Sequence, residues 1–203
     1  MSIKNKIWKP RTSANQARVD ILTSELNAPE IIAKMLVQRG VDSPAKVKKF
    51  FNPRIGDMHD PFLMKDMDKA IERIQLAEKN KEGVLIFGDY DVDGTTSVAL
   101  AYSFFKGRFN KIDYYIPDRY KEGYGISNAG IDYAKENGLS LIIALDCGIR
   151  SIDKIEYATS LGIDFIICDH HLPGAELPQA AAVLDPKRSD CEYPFKELAG
   201  CGI

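Results

Sequence analysis

From residue 84 onward, short apolar runs alternate with stretches of helical periodicity. The runs are "VLIF" (84–87), "IDYYI" (112–116), "LIIAL" (141–145), "FIIC" (165–168) and "AAVL" (181–184). Runs this short read as strands, and 95–108, 127–137 and 151–161 read as helices, with Gly138 and Gly162 as stops. Repeated strand–helix alternation predicts an α/β fold, a parallel sheet flanked by helices. Before residue 81 the pattern is helical. "SANQARVDILTSELN" offers Ser13 as a cap, "APEIIAKMLVQRG" has Pro29 early and Gly40 as a stop, and "DSPAKVKKFFNP" closes at Pro53. An irregular "MHDPFLMKDM" then leads into the amphipathic "MDKAIERIQLAEKNKEG". The expected organisation is a helical N-terminal region (1–80) ahead of an α/β domain (81–203), with no internal repeat.

Polar residues break this pattern at one kind of place, the ends of the apolar runs. The first run ends in Asp89, Asp91 and Asp93, the third in Asp146, and the fourth in Asp169, His170 and His171. The fifth also ends in an acid, Asp185, but "LDPKRSD" reads as a polar turn. In a parallel sheet with helical crossovers, ligands bind at the carboxyl ends of the strands. The first three groups are therefore expected to converge there. Several carboxylates brought together without a cation repel, or stay protonated. A divalent cation removes the conflict, and carboxylate oxygens with an imidazole suit Mn²⁺ or Mg²⁺.

An EF-hand loop also begins D-x-D-x-D-G, as "DYDVDG" does, but its twelfth position would be Leu100 rather than Glu, and an apolar run precedes it where a helix is needed. An acidic turn with no metal is the plainer alternative. Adjacent side chains on an extended segment point opposite ways, so one of His170 and His171 is expected to ligate and the other to face substrate. Asp169 is expected to fix a ring tautomer. Gly94 permits a tight strand-to-helix turn, and Thr95 or Thr96 is expected to cap the helix that follows. Its N-terminus would then favour anions. Two metals, a helix N-terminus and a histidine fit phosphoester hydrolysis.

Composition adds few constraints. The 203 residues carry a net charge of -2, with 45% hydrophobic and 28% charged residues, as in an ordinary globular protein. No global basic field announces nucleic acid. No secretory leader and no run of membrane-spanning length is seen. The four cysteines form no C-x-x-C pair and read as reduced thiols of a cytoplasmic protein, with Cys147 and Cys168 as small buried residues. His59, alone in "MHDPF", reads as structural.

"DYDVDGTTS", "LDCGI" and "DHH" resemble, in order, the first three motifs of the DHH phosphoesterase superfamily. Its members include exonucleases, nano-RNA and cyclic-dinucleotide phosphodiesterases, and inorganic pyrophosphatases. Within it the chain is most similar to the single-stranded-DNA-specific exonucleases. "GDYDVDGTTS", "IPDRYKEGYGIS", the helical lead-in "FFNPRIGDMHDPFLMKDMDKAIERI" and the segment "LDPKRSDCEYPFKELAGCGI" carry that likeness along nearly the whole chain.

The resemblance implies a metal-dependent 5′-to-3′ exonuclease of DNA repair and recombination, using two Mn²⁺ or Mg²⁺ ions. Asp91 and Asp93 resemble metal ligands, with Asp89 in the neighbouring acidic position. Asp146 resembles the carboxylate bridging the ions, His170 the metal-binding histidine with Asp169 beside it, and His171 the group contacting phosphate. Arg119, Tyr124 and Gly125 lie in a loop resembling a substrate-binding segment, to which Thr95, Thr96 and Ser97 are added. Implied partners are single-stranded DNA, a single-strand-binding protein and a helicase, with no membrane. The superfamily's fourth motif supplies a further Asp well downstream of DHH. The exonucleases then add a smaller substrate-binding domain and an OB-type fold. None of these occurs before Ile203, so an N-terminal fragment with weak or no activity of its own is expected. Two other functions remain open, a small-substrate phosphodiesterase and a non-catalytic scaffold.

Overall fold

The computed structural model describes residues 14–203. The chain divides into two compact units, parting between Met58 and His59. In the first, α1 (Gln16–Leu26), α2 (Glu30–Val37) and α3 (Pro44–Phe51) enclose a small core of Val19, Leu22, Ala33, Leu36 and Val47. The Ser13 cap expected for α1 lies outside the described residues. Asn15 occupies the cap, its side chain accepting from Arg18 N. Ser43 caps α3 in the same way, and Pro44 follows at the first helical position.

The second unit contains α4 (Met67–Asn80) and a five-stranded sheet. Its strands are β1 (Val84–Gly88), β2 (Ile112–Tyr115), β3 (Leu141–Leu145), β4 (Asp164–Cys168) and β5 (Ala182–Leu184). All pairings are parallel, in the order β2-β1-β3-β4-β5. Between them run α5 (Val92–Phe105), α6 (Asn128–Glu136) and α7 (Ile152–Ser160). Gly138 (φ 58°) and Gly162 (φ 75°) follow α6 and α7 in the left-handed region, in keeping with their expected role as helix stops.

The apolar runs are continuous because both faces of the sheet are covered. Val84, Ile86, Leu141, Ile143 and Ile166 pack on one face with Ala70 and Ala77 of α4 and Val98 of α5. Leu85, Phe87, Ile142 and Phe165 pack on the other with Ile131 and Ala134 of α6 and Ile155 of α7. Strand β2 is only half-buried, as an edge strand should be. From β1 the chain passes through α5 out to β2, then returns through α6 to β3 on the far side of β1. This reversal is the topological switch at which open α/β sheets bind ligands. No described helix is long and apolar enough to cross a membrane.

Candidate metal centre

Strands β1, β3 and β4 are consecutive in the sheet and in parallel register, so their carboxyl ends lie side by side. The three acidic groups follow directly from those ends.

After β1, Asp89 is fully buried. Its Oδ1 accepts from Tyr90 N at 2.7 Å, and Oδ2 has no hydrogen-bond partner among the described residues. Burial raises its pKa, opposed in part by backbone N–H groups. Asp91 is the N-cap of α5, with Oδ1 accepting from Gly94 N at 3.0 Å. The expectation that Thr95 or Thr96 caps this helix is therefore corrected. The helix starts three residues earlier, because an Asp competes well for the exposed N–H groups of a first turn. Thr95 Oγ1 instead donates to Asp91 O at 2.6 Å, Ser97 Oγ donates to Asp93 O at 2.6 Å, and Thr96 is exposed. Gly94 is helical, and its role is space rather than a turn: a Cβ there would collide with the backbone of Asp89. Asp93, in the first turn of α5, accepts from Gly200 N at 3.2 Å through Oδ2.

After β3, Asp146 takes a left-handed backbone conformation (φ 62°) and is fully buried. Neither of its carboxylate oxygens has a hydrogen-bond partner among the described residues. Burial, and then the charge of Asp91, push its pKa up to about 7. Gly200 packs so tightly here that a Cβ on it would strike the Asp146 carboxylate.

After β4, Asp169 Oδ1 accepts from His170 N (2.7 Å), His171 N (3.1 Å) and His171 Nδ1 (2.7 Å). Its Oδ2 accepts from Ile149 N at 2.9 Å. These bonds wind residues 169–171 into a turn. As a result the two imidazoles do not diverge as an extended segment would require. Their ring centroids are 4.7 Å apart. Asp146, His170 and His171 each offer a ligand atom, and these atoms lie within 4.8 Å of one another.

Hydrogen bonding assigns both tautomers. His170 Nδ1 lies 2.8 Å from Leu198 O, which can only accept, so Nδ1 carries the proton and Nε2 of the neutral ring is bare. That bare Nε2 stands 3.1 Å from Asp146 Oδ1 and 3.9 Å from Asp93 Oδ2. Lone pairs face lone pairs across a partly buried gap, which is unfavourable until a proton or a cation fills it. His171 Nδ1 donates to Asp169, so its Nε2 is also bare and accepts from Tyr124 Oη at 3.0 Å. This donor set of carboxylate oxygens and an imidazole nitrogen fits a hard or borderline divalent cation.

The 117–125 loop reaches the centre through aromatic contacts. Arg119 Cζ sits 5.4 Å above the Tyr90 ring, Tyr90 meets Tyr124 edge-on at 6.3 Å, and Tyr124 meets His171. Gly125 has φ 81°, a conformation that favours glycine. Four contributors are not apparent from sequence reasoning. Tyr90 lies within the first motif, masked by the carboxylates on either side of it. Leu198 and Gly200 act through backbone and absent side chain, so residue type gives no signal. Asp185, expected in a polar turn, does turn the chain, with Oδ1 accepting from Lys187 N at 2.7 Å. It is nevertheless fully buried, its Oδ2 lacks a partner, and burial pushes its pKa up to about 6. Its place at the end of an apolar run is the available signal. Cys147 and Cys168 are buried, as expected.

The family described as "DHH family, N-terminal domain" matches residues 83–203. The chain is 43% identical over 189 residues to the single-stranded-DNA-specific exonuclease RecJ of Bacillus subtilis, covering 93% of this chain and 24% of that protein. It is 36% identical over 184 residues to RecJ of Escherichia coli, covering 89% of this chain and 31% of that protein. The chain thus spans about a quarter to a third of the length of these relatives. Among solved structures, exonuclease RecJ bound to manganese superposes with a TM-score of 0.63 at 26% identity, over 72% of this chain and 37% of that one. RecJ of Thermus thermophilus in complex with Mn²⁺ shares the fold, with a TM-score of 0.64 at 21% identity over 93% of this chain and 26% of that one. With its three acidic motifs on adjacent strand ends and the family match running from the start of the sheet to Ile203, the chain belongs to the DHH family.

Proposed function

We propose that this chain carries the metal-binding half of a hydrolase that removes nucleotides from single-stranded DNA, working 5′ to 3′. The observation that carries the hydrolase reading is the bare His170 Nε2 facing the unpartnered carboxylate of Asp146 at 3.1 Å, beside Asp93. A divalent ion such as Mn²⁺ or Mg²⁺ held there supplies Lewis-acid stabilisation of charge on phosphoryl oxygens and on the attacking water. Asp89, Asp91, Asp93, Asp146 and His170 are the residues assigned to hold the ions. Asp169 is assigned to support, since its two oxygens already accept four hydrogen bonds.

His171 is assigned to the substrate. Its Nδ1–H is anchored on Asp169, so Nε2, which accepts from Tyr124 Oη, is the position that can take a proton and donate it to a phosphate oxygen once substrate displaces the tyrosine. Tyr124 Oη, 3.0 Å from that nitrogen, holds the ring in place. Arg119 stacks on Tyr90 and brings a cation to the loop beside the centre.

The choice of single-stranded DNA rests on the named relatives, 43% and 36% identical along most of this chain. A helicase and a single-strand-binding protein belong to the same reading, because one exposes single strands and the other covers them, and the location is then cytoplasmic. The test is Mn²⁺-dependent hydrolysis of a 5′-phosphorylated oligonucleotide, beside the same sequence as a duplex and beside a dinucleotide, with Asp146→Asn as the control. Release of mononucleotides from the single strand is expected of a protein that carries this chain at the full length of those relatives, and is lost in the variant, whereas the 203-residue chain alone should release little or none. Preferential turnover of the dinucleotide would point instead to a small-substrate phosphodiesterase. Absence of Mn²⁺ binding would sink the metal centre.

A further inference from the structure

Beside the metal centre lies a cavity of about 760 Å³, within the size range of small-molecule sites. Its walls are of two kinds. Ile126 and Ile149 are buried in its lining, and Tyr124 and Leu172 flank it while remaining 58% and 65% exposed. These offer flat and aliphatic surface to a ring. Arg150, Lys154 and Lys187 supply the second kind, three cations. The acidic residues of the lining are Asp153 and Asp169, and Asp169 is already committed to His170, His171 and Ile149. His170 and His171 join the cavity to the metal centre.

The cations are under-used by the protein itself. Arg150 donates Nε to Leu172 O at 2.7 Å, and its two terminal nitrogens make no hydrogen bond among the described residues. Lys154 pairs with its chain neighbour Asp153 at 3.2 Å, and that carboxylate is itself largely exposed. Lys187 is 3.9 Å from the exposed Glu197. Exposed pairs of this sort contribute little and exchange readily for a better anion. Arg150 and Lys154 are four residues apart, Arg150 just before α7 and Lys154 in its first turn.

From this we infer that the cavity is a nucleotide subsite: it seats one nucleoside monophosphate unit next to the scissile bond, with the base against Tyr124 and Leu172 and the phosphate on Arg150 and Lys154. The inference rests on the nuclease reading for its substrate, but its residues lie outside the metal-ligand set. Base–aromatic stacking is tolerant of sequence, so such a subsite accepts any base. An amine would be repelled by the three cations, and inorganic phosphate alone would leave the apolar wall unused.

The test is binding of thymidine monophosphate, thymidine and inorganic phosphate to the 203-residue chain without added metal, followed by calorimetry and by amide NMR shifts. The monophosphate is expected to bind more tightly than either part alone. Arg150→Ala with Lys154→Ala should weaken it about tenfold or more, the scale of a lost charge-assisted hydrogen bond, to the level of thymidine. Thymidine binding should be unchanged in that variant, and Leu172→Ser should weaken both. Added salt should weaken the monophosphate and leave thymidine alone. Equal binding of monophosphate by the wild type and the double variant overturns the inference, as does hydrolysis of oligonucleotides with an unchanged KM in that variant. Monophosphate binding that depends on Arg150 and Lys154, in a protein of the relatives' full length that does not cut DNA under any metal, upholds the subsite and removes the nuclease reading.

Discussion

Replacing Asp146 by Asn should stabilise the metal-free protein while destroying its metal site. Asp146 is fully buried, neither oxygen has a hydrogen-bond partner among the described residues, and its pKa is raised from 3.8 to about 7. A group whose folded pKa lies above its unfolded value favours folding at low pH and loses that contribution as pH rises through the folded pKa. From 3.8 to about 7 is a change of about three powers of ten in proton affinity, or ~4 kcal/mol at most above pH 7. Asn is neutral throughout, fits the same space, tolerates the left-handed backbone at this position (φ 62°), and can donate to the bare His170 Nε2. The advantage of the variant should therefore grow by ~3 kcal/mol between pH 5 and pH 8. The other buried carboxylates are common to both proteins and cancel in the difference. Urea denaturation of both proteins in chelator at the two pH values measures it. Mn²⁺ at a hundred times its Kd stabilises the wild type alone by ~2.7 kcal/mol, so it should remove more than half of the variant's advantage at pH 8. An Asn variant less stable than wild type at pH 8 in chelator, or an advantage that does not change with pH, would refute the reasoning.

Three further outcomes follow from the same geometry. His170→Ala should weaken Mn²⁺ binding, whereas His171→Ala should leave it nearly intact and reduce hydrolysis; equal losses of affinity, measured by calorimetry, would defeat that division of roles. Gly200→Ala should lower Mn²⁺ affinity with the far-UV circular dichroism unchanged, because its Cβ would push on the Asp146 carboxylate rather than on the core. Gly94→Ala should cost ~1–3 kcal/mol in urea denaturation, the usual scale of overpacking, because the atoms it would meet are backbone of Asp89 and have little room to yield.

The sheet was legible because its strands are buried on both faces. Each reads as an unbroken apolar run, and each of the five runs appears in the structure within about one residue of its sequence limits. The convergence of acids at β1, β3 and β4 followed from one assumption, that the sheet is parallel. What stayed hidden depends on contacts remote in sequence or on local hydrogen bonds that outweigh a generic rule. The helix start at Val92 depends on which of several candidate oxygens meets the first-turn N–H groups, and Asp91 has that position. The pairing of the two imidazoles depends on Asp169 gathering both following N–H groups, which ends the extended geometry one residue after β4. Gly200 became part of the site through the packing of a segment more than fifty residues beyond Asp146.

The buried, unpartnered atoms explain why this surface should bind a cation rather than merely tolerate one. Among the described residues, six buried side-chain polar atoms lack a hydrogen bond, and four of them are carboxylate oxygens of Asp89, Asp146 and Asp185. All three follow strand ends on one edge of the sheet, and all three have raised pKa values with burial as the first cause. A sheet selected for stability alone would place asparagine or threonine at such positions, since an unsatisfied buried acceptor costs ~1–3 kcal/mol. Scattered defects would not share an edge. The cost is concentrated at the switch point and beside it, where β1, β3 and β4 present their ends together, and where the imidazole of His170 adds one more bare acceptor. A positive ion relieves several of these unfavourable contacts at once, so its binding is strengthened by the destabilisation it removes. Asp185, two strands from the switch point, is the outlying member; burial and the charge of Asp169 raise its pKa to about 6, so a proton can relieve it at mildly acidic pH.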